Sequence, residues 1–456
     1  FWLKVRATEE RCSPHSRAFM TGTPKRLAVI GAGPSGLEVA LGACQRGLQV
    51  EIFERAPHCA ATVASWQHVT LFSDWSLNMG EMGKMALTSA GVALPDAAGF
   101  PSGREFIDGY LAPVAAALEV HPNCIGLRYG AEVMEVGRGA LLKGESINGG
   151  DLKMPRQNPL CSTVRAQTPF RLLIRESGGE ERFAEGFDYV SDCSGVYGRR
   201  ELANWTGNGG LPALGERKLR TKDRLWTTIP DILGENRSRF AGRCTMVVGA
   251  GYSAATVVNF LLDLAKLESG TRVIWVTRRS KEASPYEVLD KDVLPARKRL
   301  CILANEVCAG MAGEGISYVG GAAVDSISET VDGRLTVTLQ VHGDVGPRTE
   351  KVDELVSCVG YRPDTSLFRE LQVHQCYATD GPIKLAATLL GASGDCMQQT
   401  GAGVDVLKNP EPGFFILGSK SYGRNSAFLL KIGYGQAQEV LEAVAPATGA
   451  PAAPAA

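Results

Sequence analysis

Two short stretches of this 456-residue chain carry residue types spaced for holding phosphate. The first reads Gly31-Ala32-Gly33-Pro34-Ser35-Gly36 and directly follows the apolar run 27–30. An apolar-periodic stretch from 37 to about 46 comes next and is closed by Gly47, as helices often are. Gly31 permits a tight turn, Gly33 lets backbone amides approach a pyrophosphate, and Gly36 lets the helix pack close to the strand. At Pro34 and Ser35 the helix start offers unpaired amides and the positive end of its dipole. Residues 50–53 read as the next strand, and Glu54 ends it 18 positions after Gly36, with Arg55 adjoining. A carboxylate there accepts hydrogen bonds from a ribose diol. A lone G-x-G-x-x-G says little, but one between a strand and a helix, with an acid about 20 residues on, reads as a dinucleotide site.

The second stretch is Gly249-Ala250-Gly251-Tyr252-Ser253-Ala254, after an apolar run at 245–248. Its helix is expected to reach about Lys266, and its next strand, 272–276, ends in Thr277-Arg278-Arg279. The strand end has changed sign, from Glu54 to a pair of arginines. An acid suits a free ribose hydroxyl, whereas arginine grips a 2′-phosphate through paired hydrogen bonds. The first site is therefore read as FAD and the second as NADP(H), with hydride passing from nicotinamide to flavin. Gly31 and Gly249 lie 218 positions apart, so the second site needs a domain of its own.

The elements that must position these turns are strands and helices in alternation, an α/β pattern. Residues 170–174 read as a strand, 325–354 as hairpin strands turning at Asp332-Gly333, and 144–159 as a Gly/Asn/Pro-rich surface loop. Hydrophobic residues make up 44% and charged residues 21%, which is globular. The 48 basic and 49 acidic side chains nearly cancel, which removes the usual electrostatic case for nucleic acid or an anionic membrane. Twelve cysteines are scattered without any C-x-x-C, so dithiol chemistry and zinc-ribbon ligation lack their signature. They read as small buried hydrophobes in a reducing, cytoplasmic setting. Cys301 and Cys308 share one face of a helix-like stretch, and no histidine spacing suggests a metal. Residues 1–21 are expected to be a disordered leader without a secretory core, with Met20 as a natural start. The Ala/Pro-rich tail 446–456 is expected to be disordered, and 246–262 is too short and interrupted to span a membrane.

Several further motifs resemble those of two-dinucleotide-binding-domain flavoproteins, most closely the flavin-containing monooxygenase-like branch. Ser357-Cys358-Val359-Gly360-Tyr361-Arg362-Pro363-Asp364 is similar to the family's A-T-G-Y-x-P linker, and Asp192-Cys193-Ser194-Gly195 to the matching outbound linker. Residues 131–133, ending in Val133, resemble the strand that meets adenine; residues 414–419, ending in Gly418-Ser419, resemble the strand that approaches the flavin, before a closing helix near 433–444. The resemblance implies two Rossmann-like domains of three layers (ββα), the NADP domain inserted in the FAD domain. FAD domain parts at 22–235 and 355–445 would enclose an NADP domain at 236–354. It also implies an NADPH-dependent monooxygenase acting on a small organic substrate with O2, through a flavin C4a-hydroperoxide, with a homodimer as an open option. Two departures stand out. The segment 208–216 lacks the branch's F-x-G-x-x-x-H, which favours the alternative of an NADPH:acceptor reductase, and G-G-x-W is replaced by residues 65–78. In that stretch Trp66, Phe72, Ser73 and Trp75 are the candidate flavin-side residues, with His68 nearby. A protein that keeps FAD only for structure is the third reading.

Overall fold

The computed structural model describes residues 24–144, 160–197, 199–280, 286–290, 292–311, 313–391, 397 and 403–445. The expected leader, most of the 144–159 loop and the tail lie outside them. The first unit is built on strand β1 (Arg26–Ile30), helix α1 (Pro34–Gln45) and strand β2 (Gln49–Glu54). The helix begins three residues earlier than its apolar period suggests. Gly33 stands in extended backbone at the cap and Pro34 at the first turn, where a missing N–H costs nothing. Gly47, at φ +85°, donates its N–H to the Cys44 carbonyl and ends the helix.

β1 runs parallel to β2 on one side and to β7 (Tyr189–Asp192) on the other. With β3 (Cys124–Tyr129) and β15 (Phe414–Ile416) the sheet order is β15-β7-β1-β2-β3. A three-stranded antiparallel sheet, β4 (Ala131–Arg138), β5 (Phe170–Glu176) and β6 (Glu181–Phe187), covers one face of it. α1 and the closing helix α4 (Leu430–Val444) cover the other. Alternation along β1 divides it between two cores: Leu27 and Val29 pack with the helices, and Ala28 and Ile30 with the small sheet. Burying Leu27, Val29 or Ile30 contributes about 1.5–3 kcal/mol each.

The second unit repeats this plan. β8 (Cys244–Val248), β9 (Arg272–Val276), β10 (Ile316–Val319) and β14 (Glu354–Ser357) form a parallel sheet ordered β10-β9-β8-β14. β11 (Ala322–Glu329), β12 (Leu335–Val341) and β13 (Arg348–Val352) cover one face. α2 (Tyr252–Leu267) and α3 (Pro295–Cys308) cover the other. The architecture is thus two three-layer α/β units, the second inserted in the first. The seams differ from the expected boundaries. β14 carries the second sheet to Ser357, and Ala213, Leu219 and Leu225 already belong to its core, drawn in by bridges from Gly207 to Val324 and Leu214 to Ser326.

Cys301 is buried and Cys308 half-buried, both in the core beneath α3, where burial pushes the Cys308 thiol up to about 12. Cys44, Cys59, Cys193 and Cys244 are buried too, while Cys124, Cys358 and Cys376 are only partly so. Among the described residues no helix is long and apolar enough to cross a membrane.

Candidate functional site

The turn after β1 owes its shape to contacts that only glycine permits. Gly31 sits at φ +96°, and a Cβ there would lie 2.9 Å from the carbonyl oxygen of Cys193, the residue following β7. A Cβ at Gly36 would lie 2.0 Å from the Gly31 carbonyl oxygen, so this residue sets how closely α1 meets the turn. At Gly33 nothing lies within 4 Å of the Cβ position, leaving open space before the α1 N-terminus. Glu54 is almost wholly buried and accepts from Ala32 N–H at 2.8 Å and Ala56 N–H at 2.9 Å. Its carboxylate thereby ties the turn to the end of β2.

These residues open onto one cleft along the C-terminal edge of the first sheet. Of the residues expected from sequence, Gly31, Gly33, Pro34, Ser35, Glu54, Arg55, Trp66, Val133, Ser194, Gly195, Gly418 and Ser419 line it. Gly36 lies behind the turn, and Gly360, at φ +84°, sits in the return linker with its carbonyl taken by Asn204 N–H. Three others are not lining residues, and each is engaged elsewhere. Trp75 is core, 6.0 Å from the Phe106 ring, because Gly99 and Gly109 leave room for its indole. Ser73 is buried and donates to Asn78 Oδ1 at 2.9 Å. Phe72 turns outward to the Tyr252 ring at 5.4 Å, at the start of α2.

The second turn copies the first. Gly249 stands at φ +132°, and a Cβ there would lie 2.2 Å from the carbonyl oxygen of Cys358, the residue following β14. Gly251, like Gly33, has nothing within 4 Å of its Cβ position. The carbonyls of this turn are held by Trp275 Nε1, donating to Gly249 O at 2.8 Å, and Tyr286 O–H, donating to Gly251 O at 2.9 Å. Tyr252 and Ser253 open α2, and Arg278 and Arg279 are exposed just beyond β9. The two turns thus share one geometry: a left-handed glycine against a neighbouring strand's carbonyl, and a second glycine facing open space at a helix N-terminus.

A family model described as an NAD(P)-binding Rossmann-like domain matches residues 29–80. Kynurenine 3-monooxygenase of Mycosarcoma maydis is 36% identical over 136 residues, 28% of this chain and 22% of that protein. The chain thus spans about a fifth of that curated relative's length. Bacillithiol disulfide reductase from Bacillus cereus superposes with a TM-score of 0.60 at 18% identity, covering 93% of this chain and 99% of that one. The FAD-bound cadaverine monooxygenase of Erwinia amylovora gives 0.57 at 13% identity over 94% and 95%. An ornithine N-hydroxylase of Kutzneria sp. 744, solved with reduced FAD and NADP+, gives 0.54 at 16% identity over 92% and 98%. The chain shares the two-domain fold of these proteins.

Within this fold the two linkers meet. Tyr197, two residues past Gly195, lies 4.8 Å from the ring of Tyr361, which follows Gly360. Tyr361 O–H donates to the Thr227 carbonyl and Tyr197 O–H accepts from Ile229 N–H, so both linkers are fastened to one segment. Burial pushes the Tyr197 phenol up to about 12, which keeps it a neutral wall of the cleft. In the segment 208–216 Glu216 is fully buried and accepts from Thr206 N–H and O–H, Ala213 N–H and the Arg220 guanidinium. That network binds the segment to the second core and projects nothing into the cleft.

The cleft also gathers residues outside the two glycine motifs. Arg199 donates to Asp364 Oδ2 at 2.9 Å, and both line it with Lys420, Phe428 and Leu430. Burial alone would raise the Asp364 carboxyl. Hydrogen bonds from Ser366 and the charges of Lys420 and Arg199 outweigh it, and the carboxyl sits below its ordinary range. A signal existed for two of these residues: Asp364 ends the return-linker motif, and Lys420 directly follows Gly418-Ser419.

Proposed function

We propose that this protein is an FAD-dependent NAD(P)H oxidoreductase, and specifically a monooxygenase that uses NADPH and dioxygen on a small organic substrate. The observation that carries the reading is the pair of phosphate cradles of matched geometry and opposite strand-end charge, Glu54 in one and Arg278-Arg279 in the other. FAD would lie in the first cleft, its diphosphate over the open space at Gly33 and its adenosine ribose at Glu54. Trp66, Phe428 and Leu430 would supply an apolar wall for the ring system. NADP(H) would lie at Gly251, with Arg278 and Arg279 on the 2′-phosphate. Bound flavin supplies the two-electron chemistry; the protein binds, orients and excludes water.

The monooxygenase reading draws on the Erwinia, Kutzneria and Mycosarcoma proteins by similarity. The buried Glu216 network, standing where the monooxygenase branch carries its histidine, favours the second reading, an NADPH:acceptor reductase. One experiment separates them. The purified protein is reduced anaerobically with NADPH and then mixed with oxygen across a panel of sulfides, amines, ketones and quinones. Bleaching of the flavin followed by oxygenated product supports the monooxygenase. Bleaching followed by quinone reduction or peroxide alone supports the reductase, and no bleaching overturns both.

A further inference from the structure

Lys420 is a charged residue of the cleft whose place the two glycine motifs do not explain. It lies on the helical turn Gly418–Tyr422, is 2% exposed, and lines the cleft. Its Nζ donates to Asp192 Oδ2 at 2.6 Å and to Ser194 Oγ at 2.9 Å. Asp192, at the end of β7, is fully buried, and its Oδ1 accepts from Ser194 N–H at 3.1 Å and Ser194 O–H at 2.7 Å. Both carboxylate oxygens are therefore satisfied. The ammonium carries three N–H bonds and makes two hydrogen bonds among the described residues.

The residues around this group also line the cleft. A Cβ at Gly418 would lie 2.8 Å from Ser35 Oγ, and one at Gly195 would lie 3.7 Å from Ser419 Oγ. Lys420 and Ser194 are thus flanked by the α1 phosphate turn and the outbound linker. The neighbouring charges are engaged elsewhere: Arg199 donates to Asp364 and to Glu201, and Asp364 also accepts from Ser366. A buried ion pair gains little over an apolar pair unless further polar bonds complete it. The completing partner here would be the ligand.

We propose that Lys420 is a binding residue for the flavin dinucleotide, donating its remaining N–H to the diphosphate–ribityl stretch, while Asp192 and Ser194 hold the ammonium in place. This rests on the reading of the first cleft as an FAD site. The test compares FAD dissociation from wild-type holoenzyme and from K420Q/D192N, followed by the fluorescence of released FAD on dilution. The amide pair keeps a hydrogen bond and leaves no orphaned charge. Wild-type circular dichroism with an FAD Kd at least tenfold higher is expected, and a Kd within twofold of wild type overturns the proposal. Should the double variant not fold, D192N alone decides. It removes the carboxylate that holds the ammonium in place, so an FAD Kd at least tenfold higher is expected, and a Kd within twofold of wild type overturns the assignment. A wild-type protein that carries no flavin would instead overturn the FAD reading itself.

Discussion

Gly31 and Gly33 look equivalent in the motif, yet they do different physical work. Gly31 is held in left-handed backbone against the Cys193 carbonyl, whereas Gly33 has ordinary backbone and empty space around its Cβ position. Gly33→Val is therefore expected to fold normally and to lose FAD, with affinity down at least about tenfold, or ~1.4 kcal/mol. Gly31→Val should lose both stability and flavin. Urea unfolding combined with flavin content checks the contrast, and a fully loaded Gly33→Val protein would refute the cradle. At the second turn the proposed 2′-phosphate contact is Arg278. One charge-assisted hydrogen bond is worth about 1.5–3 kcal/mol, so Arg278→Ala should raise KM for NADPH by roughly 10- to 100-fold. KM for NADH should barely move, and steady-state kinetics with both nucleotides decides.

At the scale of elements, what was legible in the chain followed locality. The two β–turn–α–β units could be read because a strand, a glycine turn, a helix and a strand-end charge all fall within about 30 residues. The fate of Trp66, Phe72 and Trp75 could not be read that way. Trp66 reaches the cleft over Gly103, Trp75 sinks into the core beside Gly99 and Gly109, and Phe72 meets Tyr252 from another unit. Their neighbours, not their own spacing, decide among core, cleft and seam. The same holds for the buried group in which Arg138 and Arg165 both bond to Glu411, 273 and 246 positions away. It joins β4 and the helix Leu160–Gln167 to the loop before β15. Glu411→Leu would leave two guanidiniums buried without their carboxylate. The expected loss is about 3–5 kcal/mol in urea unfolding. A loss below about 1 kcal/mol would show that water or a neighbour takes over the role of Glu411.

At the scale of the molecule, His68, Val69 and Phe72 form a seam with the second unit, and His68 is expected to make that seam sensitive to pH. Its ring lies 6.1 Å from Phe260 on α2, and its Nε2 is buried without a hydrogen-bond partner among the described residues. Burial pulls the imidazole below its ordinary 6.5, with Asp231 and the Pro230 carbonyl opposing that shift only in part. Native protein therefore binds this proton less readily than unfolded chain does. The stability that neutral His68 preserves is complete above pH 6.5 and is lost as pH falls from 6.5 through the lower native value. His68→Phe keeps a ring against Phe260 and removes the titration. Its unfolding midpoint should consequently fall less than that of wild type between about pH 8 and about pH 5. Parallel curves for the two proteins would mean that His68 reaches solvent and that acid loosens the seam, if at all, through other groups. A flatter variant curve would locate the acid sensitivity at the contact where the second unit meets the first.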